Sequence, residues 1–225
     1  MRCCSSCSRT TAPARWSRAE PPCGTVAAWP VEQIAQTLHL NDAQRAAFDA
    51  FNNTAGAALE TLRPSCSQAL PGTPIARMQA LQARLSAMLQ ETEGMRPALA
   101  RFYAALNDTQ REQLTASAVY PAQCTVSSPA LLPLLPVEAM ARELRADAAQ
   151  RAALHDLQHA LVQAGDILQR QCAPTQPTAV LERFEQIEAQ LRAALRAVRL
   201  IEPALAAFYG LLGEEQRQRF SRIAA

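Results

Sequence analysis

A nine-residue phrase recurs four times in this chain: LNDAQRAAF from Leu40, LNDTQREQL from Leu106, ADAAQRAAL from Ala146 and LGEEQRQRF from Leu212. Copies one and three lie 106 positions apart, as do copies two and four, and the same spacing separates Cys66 from Cys172 and Pro97 from Pro203. Residues 30–114 align without a gap on residues 136–220, and about a third of the paired positions are identical. Such a tandem duplication constrains every other reading, because whatever one unit folds into its copy must fold into as well. Each proposed role for a residue can therefore be checked against its counterpart.

The phrase itself reads as a helix start. Asn41, Asn107, Asp147 and Gly213 are residue types favoured at an N-cap, and Gln44, Gln110, Gln150 and Gln216 follow three positions later. In a capping box the cap side chain accepts a hydrogen bond from a first-turn amide, while the Gln three residues on reaches back to the cap's own N–H. After the cap, Phe48, Phe51, Ala55, Leu59 and Leu62 fall on one helical face, matched by Leu154, Leu157, Leu161 and Leu168 in the second unit. Pro64 predicts that this helix stops near Arg63. A third helix follows, marked by Ile75, Met78, Leu81, Leu85, Met88 and Leu89, and Pro97 and Pro203 are expected to break the chain before ALARFYAAL and ALAAFYGLL. A short helix after Pro30 completes the unit.

Apolar residues are mainly Ala and Leu, Gly numbers only seven, and no segment alternates as a strand would. The fold class expected is all-α: two homologous antiparallel helical-hairpin units of four to five helices each, in tandem. Residues 1–22 read as an atypical or disordered tail, 23–117 as the first unit, 118–135 as a Pro-rich linker whose Cys124 belongs to the second unit, and 136–225 as that unit. Apolar faces wider than one thin hairpin can bury suggest that the units pack on each other as a pseudo-twofold pair.

The charge pattern argues against nucleic acid. All 22 basic residues are Arg, four of them in the first 22 positions beside a single acid, which leaves 18 Arg against 19 acids in the rest of the chain. A near-neutral body carries no electrostatic footprint for a polyanion. No segment is long and apolar enough to span a membrane. The tail has no apolar run of signal-peptide length, so no export signal is visible.

Candidate sites are few. Cys3, Cys4 and Cys7 lack the second ligand pair that a thiolate metal site needs. Cys23, Cys66, Cys124 and Cys172 place one Cys before each unit and one after each long capped helix. Pairing Cys23 with Cys66 and Cys124 with Cys172 would staple each arm to a helix end and imply an oxidising compartment, but four Cys allow three connectivities and free thiols are the alternative. His155 and His159 share a helical face at i, i+4, as zinc ligands can. Their counterparts are Asp49 and Asn53, and Asp156 stands where a zinc hydrolase would carry its Glu base, so neither a metal nor catalysis is expected there. No nucleophile with its base and no phosphate-binding loop occurs, so the chain reads as a non-enzyme without a cofactor. The FY pairs, Phe102 with Tyr103 and Phe208 with Tyr209, read first as core packing, and as candidate contacts for a bound client in their functional reading.

LNDAQ, LNDTQ, DAAQ and LGEEQ resemble the LTxxQ motif of the Spy/CpxP family of bacterial envelope proteins. The order Cys23-Gly24, Trp29-Pro30, Leu40 to Gln44, Cys66, Arg96 to Tyr103 and Leu106 to Gln110 is similar to a subgroup of that family. The second unit repeats the order through Cys124, Pro136, Gln150, Cys172, Glu202 to Tyr209 and Gln216. The resemblance implies a periplasmic, ATP-independent chaperone or stress-related protein that captures unfolded or partly folded proteins. It also raises two alternatives, a metal-responsive stress sensor and an interaction protein without clients. Single-unit relatives pair through long helices, so the resemblance leaves open a monomer with an internal pseudo-dimer or a homodimer.

Overall fold

The computed structural model describes residues 31–67, 71–117, 137–171 and 179–223. The tail, the linker, Cys23, Cys124, Cys172 and the side chain of Cys66 lie outside the described residues, and so does the proposed disulfide pairing. Eight helices occur among the described residues. In the first unit they are α1 (Val31–Leu38), α2 (Asp42–Ser67), α3 (Pro74–Ala105) and α4 (Asp108–Ser117). The second contributes α5 (Val137–Leu144), α6 (Ala148–Gln169), α7 (Val180–Leu211) and α8 (Glu214–Ile223). The fold is all-α, with four helices in each unit among the described residues.

Three helix boundaries differ from the sequence-based expectation. Helix α2 runs through Pro64 to Ser67, and α3 and α7 continue unbroken through Pro97 and Pro203. Pro removes one backbone donor from a helix, but Pro64, Pro97 and Pro203 all lie exposed, where water can take the released carbonyl. Just beyond Pro97 come Ala98, Leu99 and Phe102, all buried. That apolar burial carries the helix onward past the local penalty. Helix α3 begins just before Ile75: Thr73 is its N-cap, accepting from the Ala76 N–H at 3.2 Å, and Pro74 occupies the first turn.

In each unit the two long helices form an antiparallel pair, α2 with α3 and α6 with α7. Side-chain contacts give the alignment. Phe48 meets Phe102 with ring centroids 4.9 Å apart, and Gln44 reaches the carbonyl of Ala105. Helix α2 is 26 residues long and α3 is 32, so the N-terminal turns of α3 overhang the end of α2. Helix α6, at 22 residues, leaves a longer overhang on α7.

Each overhang is covered by the other unit. Ile75 and Met78 of α3 pack against the core of the second unit, which includes Leu144, Leu154, Leu205, Phe208 and Phe220. Val180, Leu181 and Phe184 of α7 pack on the core of the first, which includes Leu38, Phe48, Leu99, Phe102 and Leu114. Ile75 and Leu181 are counterparts in the duplication, as are Met78 and Phe184, so the exchange is reciprocal. Helices α3 and α7 lie antiparallel between the two cores, with Arg96 near Glu188 and Gln79 near Glu202.

The two cores differ in detail: the first buries Phe51 where the second has Leu157, and a second difference is an exchange. Phe102 and Phe208 are counterparts, 1% and 0% exposed. Against Phe102 the first unit sets Phe48 from α2 and Leu114 from α4, whereas the second sets Leu154 from α6 and Phe220 from α8, the latter edge-on to Phe208 at 5.3 Å. One Phe and one Leu have traded elements, which conserves volume in a close-packed interior. Phe48→Leu should destabilise the chain by about 1–2 kcal/mol through the cavity it leaves. Adding Leu114→Phe should return at least half of that loss. Denaturant unfolding of the two single variants and the double would show the coupling, and strictly additive losses would contradict the exchange.

Candidate functional site

The four recurring phrases converge as two pairs. Asn41 Oδ1 accepts from the Gln44 N–H at 2.9 Å, and the Asn41 N–H donates to Gln44 Oε1 at 3.1 Å. Asn107 with Gln110 and Asp147 with Gln150 make the same reciprocal bonds. Gly213 has no side chain to accept, and keeps only the half in which its N–H donates to Gln216 Oε1 at 2.9 Å. Four helix starts are thereby capped.

The glutamines do more than cap. Gln44 Nε2 donates to Gln110 Oε1 at 2.9 Å, and Gln110 Nε2 donates back to Gln44 Oε1 at 3.0 Å, across 66 residues of chain. Each amide spends its second donor on the end of another helix: Gln44 on the Ala105 carbonyl and Gln110 on the Leu38 carbonyl, both at 2.9 Å. In the second unit Gln150 and Gln216 repeat the arrangement, with the carbonyls of Leu211 and Leu144 as end acceptors. Each carboxamide thus uses two donors and accepts two bonds, its full capacity. Reversing one amide would set its oxygen against a helix-end carbonyl, so the network fixes the orientation. Glutamate offers no donor and asparagine is a methylene shorter, which is why Gln holds this position in every copy.

Two further residues complete the junction, and the sequence reading missed them. Arg111 donates to the Tyr103 and Ala104 carbonyls at 3.2 and 3.3 Å, and its guanidinium lies 5.4 Å above the Tyr103 ring. Arg217 treats the Tyr209 and Gly210 carbonyls, and the Tyr209 ring, in the same way. Together with the glutamine bond, these reach three consecutive carbonyls at the C-terminal ends of α3 and α7, where a helix leaves carbonyls without i+4 partners. The signal was present, because Arg follows Gln in all four phrases, at Arg45, Arg111, Arg151 and Arg217.

The carbonyls of Leu38 and Leu144 are presented by residues in the left-handed region, His39 at φ 48° and Arg145 at φ 52°. Such a residue closes a helix, and Ala146 N–H reaches back to the Ala141 carbonyl at 2.8 Å as in a Schellman end. His39 is accordingly a helix-end residue exposed to solvent.

The FY positions divide by residue. Phe102 and Phe208 are core, as their packing reading expects. Tyr103 and Tyr209 are half-buried beneath their arginines. His155 and His159 are both exposed on α6. Among the described residues no three His, Cys, Asp or Glu side chains gather as a metal site would require.

The seam between α3 and α7 holds the one buried acid among the described residues. Glu188 is 1% exposed, and its Oε2 lies 3.1 Å from Arg192 and 3.5 Å from Arg96. Arg192 also pairs with Glu93 at 2.6 Å, and Arg96 with Glu185. The hydrogen bond to Glu93 chiefly holds the Arg192 guanidinium above its ordinary pKa, with burial opposing and Glu188 assisting. Apolar residues along the middle of these helices stay half-covered: Leu85, Met88 and Leu89 on α3, Ile187 and Leu191 on α7. Leu81 is 43% exposed.

Because both amides of a pair share their bonds, losses at Gln44 and Gln110 should couple. Gln44→Ala and Gln110→Ala should each cost about 1–3 kcal/mol, and the double variant less than the sum by at least about 0.5 kcal/mol. Gln44→Ala with Gln150→Ala, in different units, should add to within about 0.5 kcal/mol. Equilibrium unfolding of these four variants and of Gln150→Ala alone measures both quantities.

No helix among the described residues is long and apolar enough to cross a membrane. No curated protein and no solved structure is significantly similar to the chain. A family model does match, twice: the LTXXQ motif family protein model covers residues 26–118 and again 135–224, each match spanning one glutamine pair and its four helices. The chain therefore belongs to the LTXXQ motif family of Spy/CpxP-like proteins, a non-enzymatic family, and carries two of its domains in tandem.

Proposed function

We propose that the protein is an ATP-independent chaperone of the bacterial envelope, which holds partly unfolded proteins on the half-covered apolar surface of its two central helices. Family membership supports the class of activity and the compartment. The observation that carries the site is the incomplete burial of Leu81, Leu85, Met88 and Leu89 on α3 and of Ile187 and Leu191 on α7. A body built of paired helices has too little material to cover both sides of its central pair. Apolar surface left open in this way favours exposed hydrophobic segments of other chains. Arg196, exposed on α7, adds a cation on the same helix, suited to acidic or amphipathic segments.

The two units act as an internal pair in this reading. The reciprocal plugging of Ile75 and Met78 into one core and of Leu181 and Phe184 into the other does within one chain what two single-unit chains would do as a dimer. The glutamine junctions and FY pairs hold the cradle from its ends without touching the client.

The test is light scattering of a chemically denatured protein diluted into buffer with an equimolar amount of the chain and no nucleotide. Suppression of aggregation beyond an inert control is expected. Leu81→Asp should remove about half of that suppression, while its unfolding free energy stays within about 0.5 kcal/mol because the side chain is exposed. Absence of suppression with several unrelated clients would overturn the proposal.

A further inference from the structure

The 106-residue register allows every contact in the α3–α7 seam to be compared with its counterpart, and the two halves of the seam do not match. In one half, Arg96 reaches Glu185 and Glu188, and Arg192 bridges Glu188 and Glu93. The counterparts of these residues are Glu202 for Arg96, Gln79 for Glu185, Gln82 for Glu188, Ser86 for Arg192 and Arg199 for Glu93. There the contact that corresponds to Arg96–Glu185 is a hydrogen bond from Gln79 Nε2 to Glu202 Oε1 at 3.5 Å. The geometry of the duplication has been kept and its charges have been rewritten.

The consequence emerges when the same antiparallel crossing is built from other helices. Two copies of α7 would bring Glu202 against Glu185 and Glu188, and Arg199 against Arg192. Every charged contact between the two helices would then be like against like, and Glu188, 1% exposed here, would keep Arg192 of its own helix but lose the Arg96 cation across the seam. Removing the partner of a buried charge, or setting like charges across an interface, is strongly unfavourable. Two copies of α3 would bring Arg96 against Gln79 and Gln82, and Glu93 against Ser86, with no ion pair gained. Only α3 against α7 joins opposite charges. This is the pattern by which interfaces select one partner and reject another, attraction on the chosen side and repulsion against the competitor.

We infer that the α3–α7 seam is a directional pairing surface whose partner is a unit of the opposite type: Glu185, Glu188 and Arg192 on α7 accept an α3 carrying Glu93 and Arg96 and refuse a second α7. The inference rests on the reading of the two units as an internal pair, and it adds which helices can pair. It explains why a duplicated chain closes on itself instead of joining like units into dimers or open chains.

The experiment uses the full chain in a Glu188→Gln background, which matches Gln82 and leaves no buried acid to confuse the readout. One variant adds Glu93→Arg with Arg96→Glu, a second adds Glu185→Arg with Arg192→Glu, and a third carries all four reversals. Light scattering after size exclusion gives the masses. The third variant is expected to be a monomer like its background, because each reversed charge again meets its opposite. The first and second, mixed after denaturation and refolding together, are expected to form a one-to-one dimer with exchanged units, at least about tenfold more abundant than any dimer of either alone, the ratio that 1.4 kcal/mol of discrimination would give. No excess of the mixed dimer, or a fourfold-reversed chain that fails to regain the monomer, would overturn the pairing code. A homodimer formed by the unaltered chain would instead overturn the internal-pair reading, and the mixed refolding would still report on the code.

Discussion

The structure depends on a pair of carboxamides. A helix cap satisfies donors at one end of one helix, and most capping boxes stop there. Here the Gln side chain at N3 also faces an identical Gln from a second helix start, and each passes its remaining N–H to the end of a third element. Four helix ends in a unit, two beginnings and two terminations, are thereby tied at one point. Gln44 and Gln110 are each 8% exposed, so these bonds exchange little with water and the cost of leaving any of them unmade is high. The position of the knot fixes where α2 begins relative to where α3 ends. The antiparallel alignment of Phe48 with Phe102 and the length of the α3 overhang both follow from it.

That overhang is the reason one unit is incomplete. A helix of 32 residues paired with one of 26 or 22 leaves apolar turns that its own hairpin partner cannot reach. Ile75 and Leu181 find their cover in the opposite core, and the short core of each unit gains side chains it could not supply itself. Small cores bury a low fraction of their surface, so the exchange raises the stability of both units together. Along the middle of α3 and α7, Leu85, Met88, Leu89, Ile187 and Leu191 remain only half-covered.

Much of this was legible in the sequence, and the limits of legibility have physical causes. The duplication, the helical class and the capped starts could be read because each is local or periodic: Asn41 and Gln44 are three residues apart. The Gln44–Gln110 bond joins residues 66 positions apart, and nothing in a local pattern says that one cap will meet another. Pro97 and Pro203 were misleading because their penalty is local while the burial of Leu99, Phe102, Leu205 and Phe208 that outweighs it is tertiary. Tyr103 next to Phe102 looked like one motif, yet neighbouring residues on a helix point about 100° apart, and only the ring at 102 enters the core. Arg111 and Arg217 could have been found from the QR dipeptide common to all four phrases, had the caps been asked what satisfied the helix ends as well as the helix starts.

The two copies have diverged in two ways, and the difference between them is informative. In the cores, Phe48 and Leu114 correspond to Leu154 and Phe220, so an aromatic ring has moved between elements without changing what fills the space. Such drift is neutral when volume is conserved, and it makes the units different without making them choose between partners. In the seam, every one of the positions that carries charge in one copy carries a different residue type in the other. Volume does not account for that change, since Glu and Gln at 188 and 82 have nearly the same shape. What changes is charge, reversed at 93/199 and 96/202 and present on α7 alone at 185, 188 and 192, and charge acts on the choice of partner where a volume does not. A duplicated chain faces a problem that a single-unit protein does not, because every interface it makes with itself can also be made with its neighbours. Opposite charges distributed between the copies solve it with the same side chains that hold the seam together.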